Sequence, residues 1–301
     1  MENSAPQNSP RIALATLGVV FASICFGFVP VFARSLTDAG IAPHAVAFYR
    51  YLLAALVFLP FVWRARDQYK TLLWGLFVGI VMGLGWVGYV RAIEVVPVST
   101  AGVLYMTYPA FTLVISWLLF KDRPTRRGII AAGMVVAAAA IVSRPGAIAP
   151  EHVPALLLSL AAPIGFGFGI TFLVHRMTRV PALARIGSIS AGSILGLLPL
   201  VLATDPVALF PATESDWLMV VGIGLGTALF PQLLFTVCSP LIGTARTAMA
   251  GSIELPVMFA VGWMFFGEVL QGEQAIALGL ILIAILITPG RRARSIAAAS
   301  E

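Results

Sequence analysis

The sequence predicts an all-α membrane protein, with ten transmembrane helices arranged as two inverted five-helix repeats around a central cavity. Three observations support this fold class: an apolar composition, a repeat of the middle of the chain near its end, and a one-sided distribution of basic residues. Hydrophobic residues make up 59% of the 301 residues and charged residues only 11%, against roughly 25% charged in soluble domains. The expected solvent is therefore a lipid bilayer.

Ten apolar stretches approach the length of about 20 residues that a helix needs to cross a bilayer. We place them at 12–33, 42–63, 72–91, 98–120, 126–143, 152–174, 183–203, 216–238, 244–266 and 272–289. The division that follows is an N-terminal tail (1–10), a first five-helix repeat (11–143), a linker (144–152), a second, inverted repeat (153–289) and a C-terminal tail (290–301). We expect no separate domain outside the membrane.

Two parts of the chain resemble each other at a distance of 146 or 147 residues. The segments 108–111 (Tyr-Pro-Ala-Phe) and 120–122 (Phe-Lys-Asp) return as 255–258 (Leu-Pro-Val-Met) and 266–268 (Phe-Gly-Glu). Because each half holds an odd number of predicted spans, the second half is expected to lie upside down relative to the first. Inverted repeats of this kind place a substrate site near the midplane of the bilayer, between the halves.

The basic residues are expected to gather on one side of the membrane. If the N-terminus is cytoplasmic, fifteen of the nineteen Lys and Arg residues fall in cytoplasmic segments, which is the bias that sets topology. Both termini are then expected inside. The net charge of +6 needs no nucleic-acid partner.

Several motifs recur in a fixed order along nearly the whole chain. They are the arginine that opens 50–55 (Arg-Tyr-Leu-Leu-Ala-Ala), a proline midway along spans four and nine, Phe-Gly-Glu at 266–268, and the glycines at 133 and 279. In these residues the chain resembles the EamA-type branch of the drug/metabolite transporter superfamily. The first copy departs from the pattern, because Lys121 stands where the second copy has glycine.

This resemblance implies ten helices, with the first, third, fourth, sixth, eighth and ninth lining a central cavity. It implies export of small metabolites across the bacterial cytoplasmic (inner) membrane, and overall similarity points further to the aromatic amino-acid exporters. We therefore expect alternating-access export of an aromatic or neutral amino acid, with drugs or nucleosides as alternative solutes. Protons as coupling partners and the oligomeric state are left open, and no cofactor is implied.

Glu254 is the acidic residue that the sequence places well inside a span, about halfway along the ninth. Aligned on Pro109 and Pro256, it corresponds to Thr107 in the first half. A carboxylate at bilayer depth costs several kcal/mol, so it normally faces a cavity or a partner. Two interpretations stay open: a group that binds a substrate ammonium or exchanges a proton, and a structural carboxylate bonded to a neighbouring helix.

Aromatic residues on spans three, four, six and eight are candidates for the wall of a substrate cavity. They are Trp86, Tyr89, Tyr105, Tyr108, Phe168 and Phe230. The first four form two pairs at a spacing of three, which places each pair on one helix face. Facing inward, they could stack on rings and donate hydroxyl groups. The alternative is ordinary packing or an aromatic belt at the membrane surface.

Four further residues within spans have candidate roles. Arg50 could hold a substrate carboxylate, but span two is not a cavity helix in the family, so a structural ion pair or snorkelling to the outer interface is expected. Gln232 is a substrate contact or a link between helices. Pro109 and Pro256 are matched between the repeats and are expected to kink their helices as hinges, with a static bend as the alternative.

A membrane enzyme is the alternative from a different class. It would need a nucleophile motif or a cluster of metal ligands at membrane depth. His44, His152 and His175 lie near span ends without metal-ligand spacing, and neither Gly-x-Ser-x-Gly nor His-Glu-x-x-His occurs. The sequence therefore predicts neither catalytic residues nor a metal site.

Overall fold

The computed structural model describes residues 9–143 and 149–287, and every regular element in these ranges is helical. Most of the predicted N-terminal tail, part of the linker (144–148) and the C-terminal tail lie outside the described residues. The α-helices in chain order are α1 (Ser9–Gly27), α2 (Val29–Asp38), α3 (Pro43–Arg64), α4 (Tyr69–Val95), α5 (Val98–Tyr105), α6 (Tyr108–Phe120), α7 (Arg126–Val142), α8 (Val153–Ser159), α9 (Ala161–His175), α10 (Ala182–Leu202), α11 (Glu214–Gly224), α12 (Phe230–Ile242), α13 (Thr244–Gly251), α14 (Glu254–Phe266) and α15 (Gly272–Ile287).

Eight helical stretches of the described chain are long and apolar enough to cross a bilayer. They are Pro10–Asp38, Pro43–Arg64, Arg66–Val95, Val98–Phe120, Pro150–His175, Ala182–Leu202, Glu214–Ile242 and Thr244–Phe266. At the predicted spans five and ten lie α7 and α15, with 17 and 16 residues. At 1.5 Å per residue these two helices measure about 25 Å, less than a bilayer core of about 30 Å. Ten spanning helices therefore stay a prediction.

The outer surface of the helical bundle is apolar. Leu56 and Trp63 on α3, Leu118 on α6 and Met264 on α14 each expose more than half of their surface. Soluble monomers rarely expose apolar surface on this scale. The protein is therefore a multi-pass membrane protein whose outer face contacts lipid.

The helices of the first half pack against those of the second. α1 contacts α12, α3 contacts α10, α4 contacts α9, α5 contacts α14, α6 contacts α13, and α7 contacts α15. Numbered by predicted spans, the pairs are 1–8, 2–7, 3–6, 4–9 and 5–10. Exchanging the two halves leaves this set unchanged, because 1–8 and 3–6 replace each other. The contact pattern agrees with a two-fold relation between the halves, while their inversion in the membrane stays a prediction.

Spans four and nine are both interrupted near their middle. α5 ends at Tyr105 and α6 begins at Tyr108, while α13 ends at Gly251 and α14 begins at Glu254. The ends of α5 and α13 are 146 residues apart, and the starts of α6 and α14 are also 146 residues apart. Glu254 therefore corresponds to Tyr108, and the alignment with Thr107 that the prolines indicate is off by one position.

Prolines near the middle of the spans lie in the first turn of an α-helix, whereas Pro60, Pro199 and Pro240 lie inside helices. Pro30 and Pro109 are each the second residue of a helix, and Pro256 is the third residue of α14. Pro231 differs, because the segment Leu225–Leu229 runs into α12 without a break. The backbone N–H groups in the first turn of a helix have no acceptor within the helix. Proline, which lacks this group, is therefore well tolerated there. The two matched prolines thus lie directly after the interruptions of spans four and nine.

The turns that end α6 and α14 adopt the same conformation in spite of the missing glycine. Lys121 has φ 55° and Gly267 has φ 62°, both in the left-handed region. The amide of the next residue bonds back to a carbonyl six residues earlier in each copy, Asp122 to Ser116 and Glu268 to Gly262. This is the usual glycine-terminated helix end, here formed once by a lysine.

We expect Lys121→Gly to stabilise the protein, because the left-handed conformation costs a residue with a Cβ atom about 1 kcal/mol that glycine does not pay. The thermal unfolding midpoint of the detergent-solubilised protein should rise by about 2 °C. Lys121→Ala removes the charge and keeps the strain, and it should give no rise. Equal midpoints for the two variants would show that the charge, not the backbone, sets the effect.

Candidate functional site

Aromatic side chains from both halves meet in the centre of the bundle. Trp86 and Tyr89 on α4 contact Tyr105 on α5, with ring centroids 5.9 and 5.4 Å apart. Tyr108 on α6 lies 5.6 Å from Tyr105, and Phe166 on α9 lies 4.9 Å from Tyr108. We call these five residues the aromatic cluster. All are buried, so none of the four sequence candidates lies in a belt at the membrane surface.

Phe26, Phe166 and Phe235 were missed as candidates by the sequence reasoning. Phe26 on α1 and Phe235 on α12 lie 5.8 Å apart, and Phe166 lies 6.3 and 5.4 Å from them. A signal for two of them was available, because Phe-Gly-Phe occurs at 26–28 and again at 166–168. These rings continue the aromatic cluster toward spans one and eight.

Phe168 and Phe230 lie outside the aromatic cluster, contrary to the expectation that they extend the wall. Phe168 stacks on Phe172 at 4.3 Å and contacts Phe77. Residues two apart on a helix point about 200° apart, so Phe166 and Phe168 cannot share a face. Phe230 exposes 65% of its surface on the outside of α12.

Glu254 is fully buried as the first residue of α14. Both of its carboxylate oxygens lack a hydrogen-bond partner among the described residues. It lies one helical turn before Met258, whose sulfur is 3.8 Å from the Tyr89 hydroxyl. The partial positive charge at a helix N-terminus favours a carboxylate at this position. Glu254 is thus a buried, unbonded acidic group beside the aromatic cluster.

Two tyrosine hydroxyls of the cluster reach from the first half to the second. Tyr108 donates to the backbone oxygen of Ala248 on α13 at 3.0 Å. Tyr89 points its hydroxyl at the sulfur of Met258 on α14, at 3.8 Å. Gln232 on α12 is also buried, with 9% of its surface exposed. The cluster therefore bridges the interrupted spans of both halves.

Arg50 on α3 also lies in the centre, which differs from the expected snorkelling. Its guanidinium carbon lies 3.7 Å from the ring centroid of Trp86, and only 4% of the residue is exposed. The aromatic face attracts the cation, and the side chain turns into the bundle. Arg50 therefore joins the site from a span that the family resemblance leaves out.

A second set of polar contacts joins the halves where α14 ends and α5 begins. The Glu268 carboxylate accepts from the amides of Val98 and Ser99 at 2.6 and 3.1 Å and from the Ser99 hydroxyl at 2.8 Å. Arg34 on α2 lies 3.8 Å from the same carboxylate. An acidic side chain that accepts from the first amides of a helix stabilises that end, so Glu268 ties α14 to α5.

Among the described residues, no group of three or more His, Cys, Asp or Glu side chains could hold a metal ion. The central site offers ring faces, hydroxyl groups, one guanidinium and one carboxylate. Groups of these kinds are the ones that line small-molecule binding sites.

Several known proteins with similar sequences are named as transporters. Residues 13–144 match the EamA-like transporter family. An uncharacterized transporter of Archaeoglobus fulgidus is 25% identical over 89% of this chain and 94% of its own length. A riboflavin transporter of Rhizobium johnstonii is 28% identical over 92% of this chain and 91% of its own length.

One solved crystal structure shares the fold at low sequence identity. It covers 94% of this chain and 99% of its own, with a TM-score of 0.67 and 19% identity. The match to the EamA-like family and the named relatives support a membrane transporter of small solutes and point to a transporter rather than an enzyme.

Proposed function

We propose that this protein exports aromatic or neutral amino acids by alternating access. The observation that carries the proposal is the aromatic cluster with Glu254 at its side, buried where the interrupted spans four and nine meet. Transporters place their substrates at such interruptions of paired repeats. Rings of the cluster stack on an aromatic side chain, and Glu254 accepts the substrate ammonium group or exchanges a proton.

Movement of the two halves relies on the interruptions of spans four and nine. Met106 and Thr107 separate α5 from α6, and Ser252 and Ile253 separate α13 from α14. Hinges are short stretches at element ends that absorb the change in backbone angles. With Pro109 and Pro256 directly behind them, these two breaks act as the hinges, and the halves rock about the central site.

The transporter works in the bacterial cytoplasmic membrane with both termini inside. The one-sided distribution of basic residues supports this orientation. The ties of Glu268 to α5 and to Arg34 then lie at the outer end of the bundle. They close the outer end in the conformation described, and export requires them to open.

A flavin-like ring system is the second candidate substrate. The relative from Rhizobium johnstonii is named a riboflavin transporter, and a cluster of stacked rings suits a flat aromatic molecule as well as an amino acid. The two candidates differ in charge, because an amino acid engages Glu254 and Arg50 while riboflavin is neutral.

Uptake into proteoliposomes tests the proposal. Labelled tryptophan, phenylalanine, leucine and riboflavin are offered with and without an imposed pH gradient. We expect saturable uptake of the aromatic amino acids, stimulated by the gradient if protons are coupled. Uptake of riboflavin alone supports the second candidate, and uptake of none of the four contradicts both.

A further inference from the structure

Arg50 has unused hydrogen-bonding capacity in the middle of the protein. A guanidinium group has five N–H donors. One bonds the backbone oxygen of Thr227 at 3.1 Å, and another makes a long contact of 3.5 Å with the Tyr51 hydroxyl. The Nε–H group has no partner among the described residues.

The one contact of good length leads to an unusual part of span eight. Thr227 lies in a π-helical segment, Leu225–Leu229, between α11 and α12. Such segments shift the backbone hydrogen bonds by one residue and often occur at functional sites. Span three, the counterpart in the first half, is a continuous α-helix. Arg50 thus contacts a feature that breaks the symmetry of the halves.

Arg50 and Glu254 both lie beside the aromatic cluster, and among the described residues no hydrogen bond joins them. Arg50 lies on Trp86, and Glu254 lies one turn before Met258, whose sulfur meets the Tyr89 hydroxyl. Both carboxylate oxygens of Glu254 are free of hydrogen bonds to the described residues. A buried pair of opposite charges repays the cost of its desolvation only with close, well-bonded geometry. The arrangement leaves one positive and one negative group open, with Trp86 and the tyrosines beside them.

We propose that Arg50 binds the carboxylate of the substrate, and that it thereby selects aromatic molecules that carry this group. The inference rests on the proposed function, because it assigns a role at the same site. Arginine suits a carboxylate through two parallel hydrogen bonds. Glu254 then takes the ammonium group and the aromatic cluster takes the ring, so the substrate satisfies both open charges.

A purely structural role is the competing account. In that account Arg50 only anchors the π-helical segment through Thr227 and stacks on Trp86. Removing it would then lower stability and slow transport of every substrate alike. The two accounts differ in one readout, the preference for a substrate with a carboxylate over the same ring without it.

The test compares tryptophan with tryptamine and tryptophan methyl ester, which lack the free carboxylate, in proteoliposomes. Wild type should prefer tryptophan by at least tenfold in kcat/KM. Arg50→Met should lower this preference by about tenfold to a hundredfold, the range expected for a lost bond to a charged group. Arg50→Lys keeps the charge but not the paired geometry, so its preference for tryptophan should lie between those of wild type and Arg50→Met.

Arg91→Met is the matched control, because Arg91 lies largely exposed in a pair with Glu94 at 2.9 Å. Its preference should equal that of wild type. The inference is overturned if Arg50→Met keeps the full preference for tryptophan. It is also overturned if the wild-type protein does not discriminate against the methyl ester, a measurement that needs no variant. If wild type moves none of the three compounds, the proposed function fails instead.

Discussion

Glu254→Gln is expected to reduce uptake of aromatic amino acids by about tenfold to a hundredfold, the effect of losing one bond to a charged group. The carboxylate is fully buried and has no hydrogen-bond partner among the residues of the structure that are described. Glutamine keeps the size of the side chain but cannot carry a charge or release a proton. The substrate ammonium group therefore loses its counter-charge, and stimulation by a pH gradient is expected to vanish.

Initial rates of labelled tryptophan uptake, with and without the gradient, measure this effect. Glu94→Gln serves as the control, because Glu94 belongs to an ion pair with the exposed Arg91. Such surface pairs contribute about 0 to 1 kcal/mol, so its uptake should match wild type. Normal uptake by Glu254→Gln under both conditions would remove Glu254 from the mechanism and leave it a structural residue.

Gly79→Ala is expected to destabilise the protein by about 3 kcal/mol, the upper range for overpacking. A Cβ atom at Gly79 would overlap the backbone oxygen of Ile189 and lie 2.8 Å from the amide nitrogen of Ser193, both on α10. Backbone atoms cannot move aside as a flexible side chain can. The two helices must separate, which also stretches the bond of 2.9 Å from the Ser193 hydroxyl to the Gly79 oxygen.

The thermal unfolding midpoint and the yield of folded protein in detergent measure this loss. Gly133→Ala on α7 is the matched control, because a Cβ atom there meets no atom within 4 Å. Alanine favours a helix over glycine by about 1 kcal/mol, so this control should be neutral or slightly stabilised. An unchanged midpoint for Gly79→Ala would mean that α4 and α10 do not pack as described.

The membrane character and most of the spans could be predicted from the sequence. Both follow from stretches of about 20 apolar residues, which can be recognised without knowing which helices pack against them. The pair Trp86 and Tyr89 on span three was also recognisable, because a spacing of three fixes a shared helix face. Tyr105 and Tyr108 lie on two helices, α5 and α6, and meet across the break between them. Glycines 75, 79 and 83 predict close helix contact in the same way, and their contacts with α10 are intramolecular.

The exact relation between the halves could not be read from the sequence. The prolines are the most visible markers of spans four and nine, yet they differ by one position relative to the helix ends. A proline is tolerated at several positions of a first turn, so it does not fix the register. The helix starts at Tyr108 and Glu254 fix the register. In this register Glu254 of the second half corresponds to Tyr108 of the first.

The surroundings of Arg50 and Phe230 could not be predicted from the sequence either. A deep arginine in an apolar span can snorkel or turn inward, and the choice depends on Trp86 and Thr227, which lie far away in the chain. Phe230 follows a π-helical segment, which rotates every later residue relative to a regular helix. A helical wheel drawn from the sequence therefore assigns its face wrongly.

A structure with bound tryptophan tests the central claim most directly, namely that the aromatic cluster is the substrate site. The account predicts the indole ring against Trp86, Tyr105 and Tyr108, the ammonium group at Glu254 and the carboxylate at Arg50. Tryptophan bound elsewhere, with the cluster packed as it is now and Glu254 still without a partner, would contradict it.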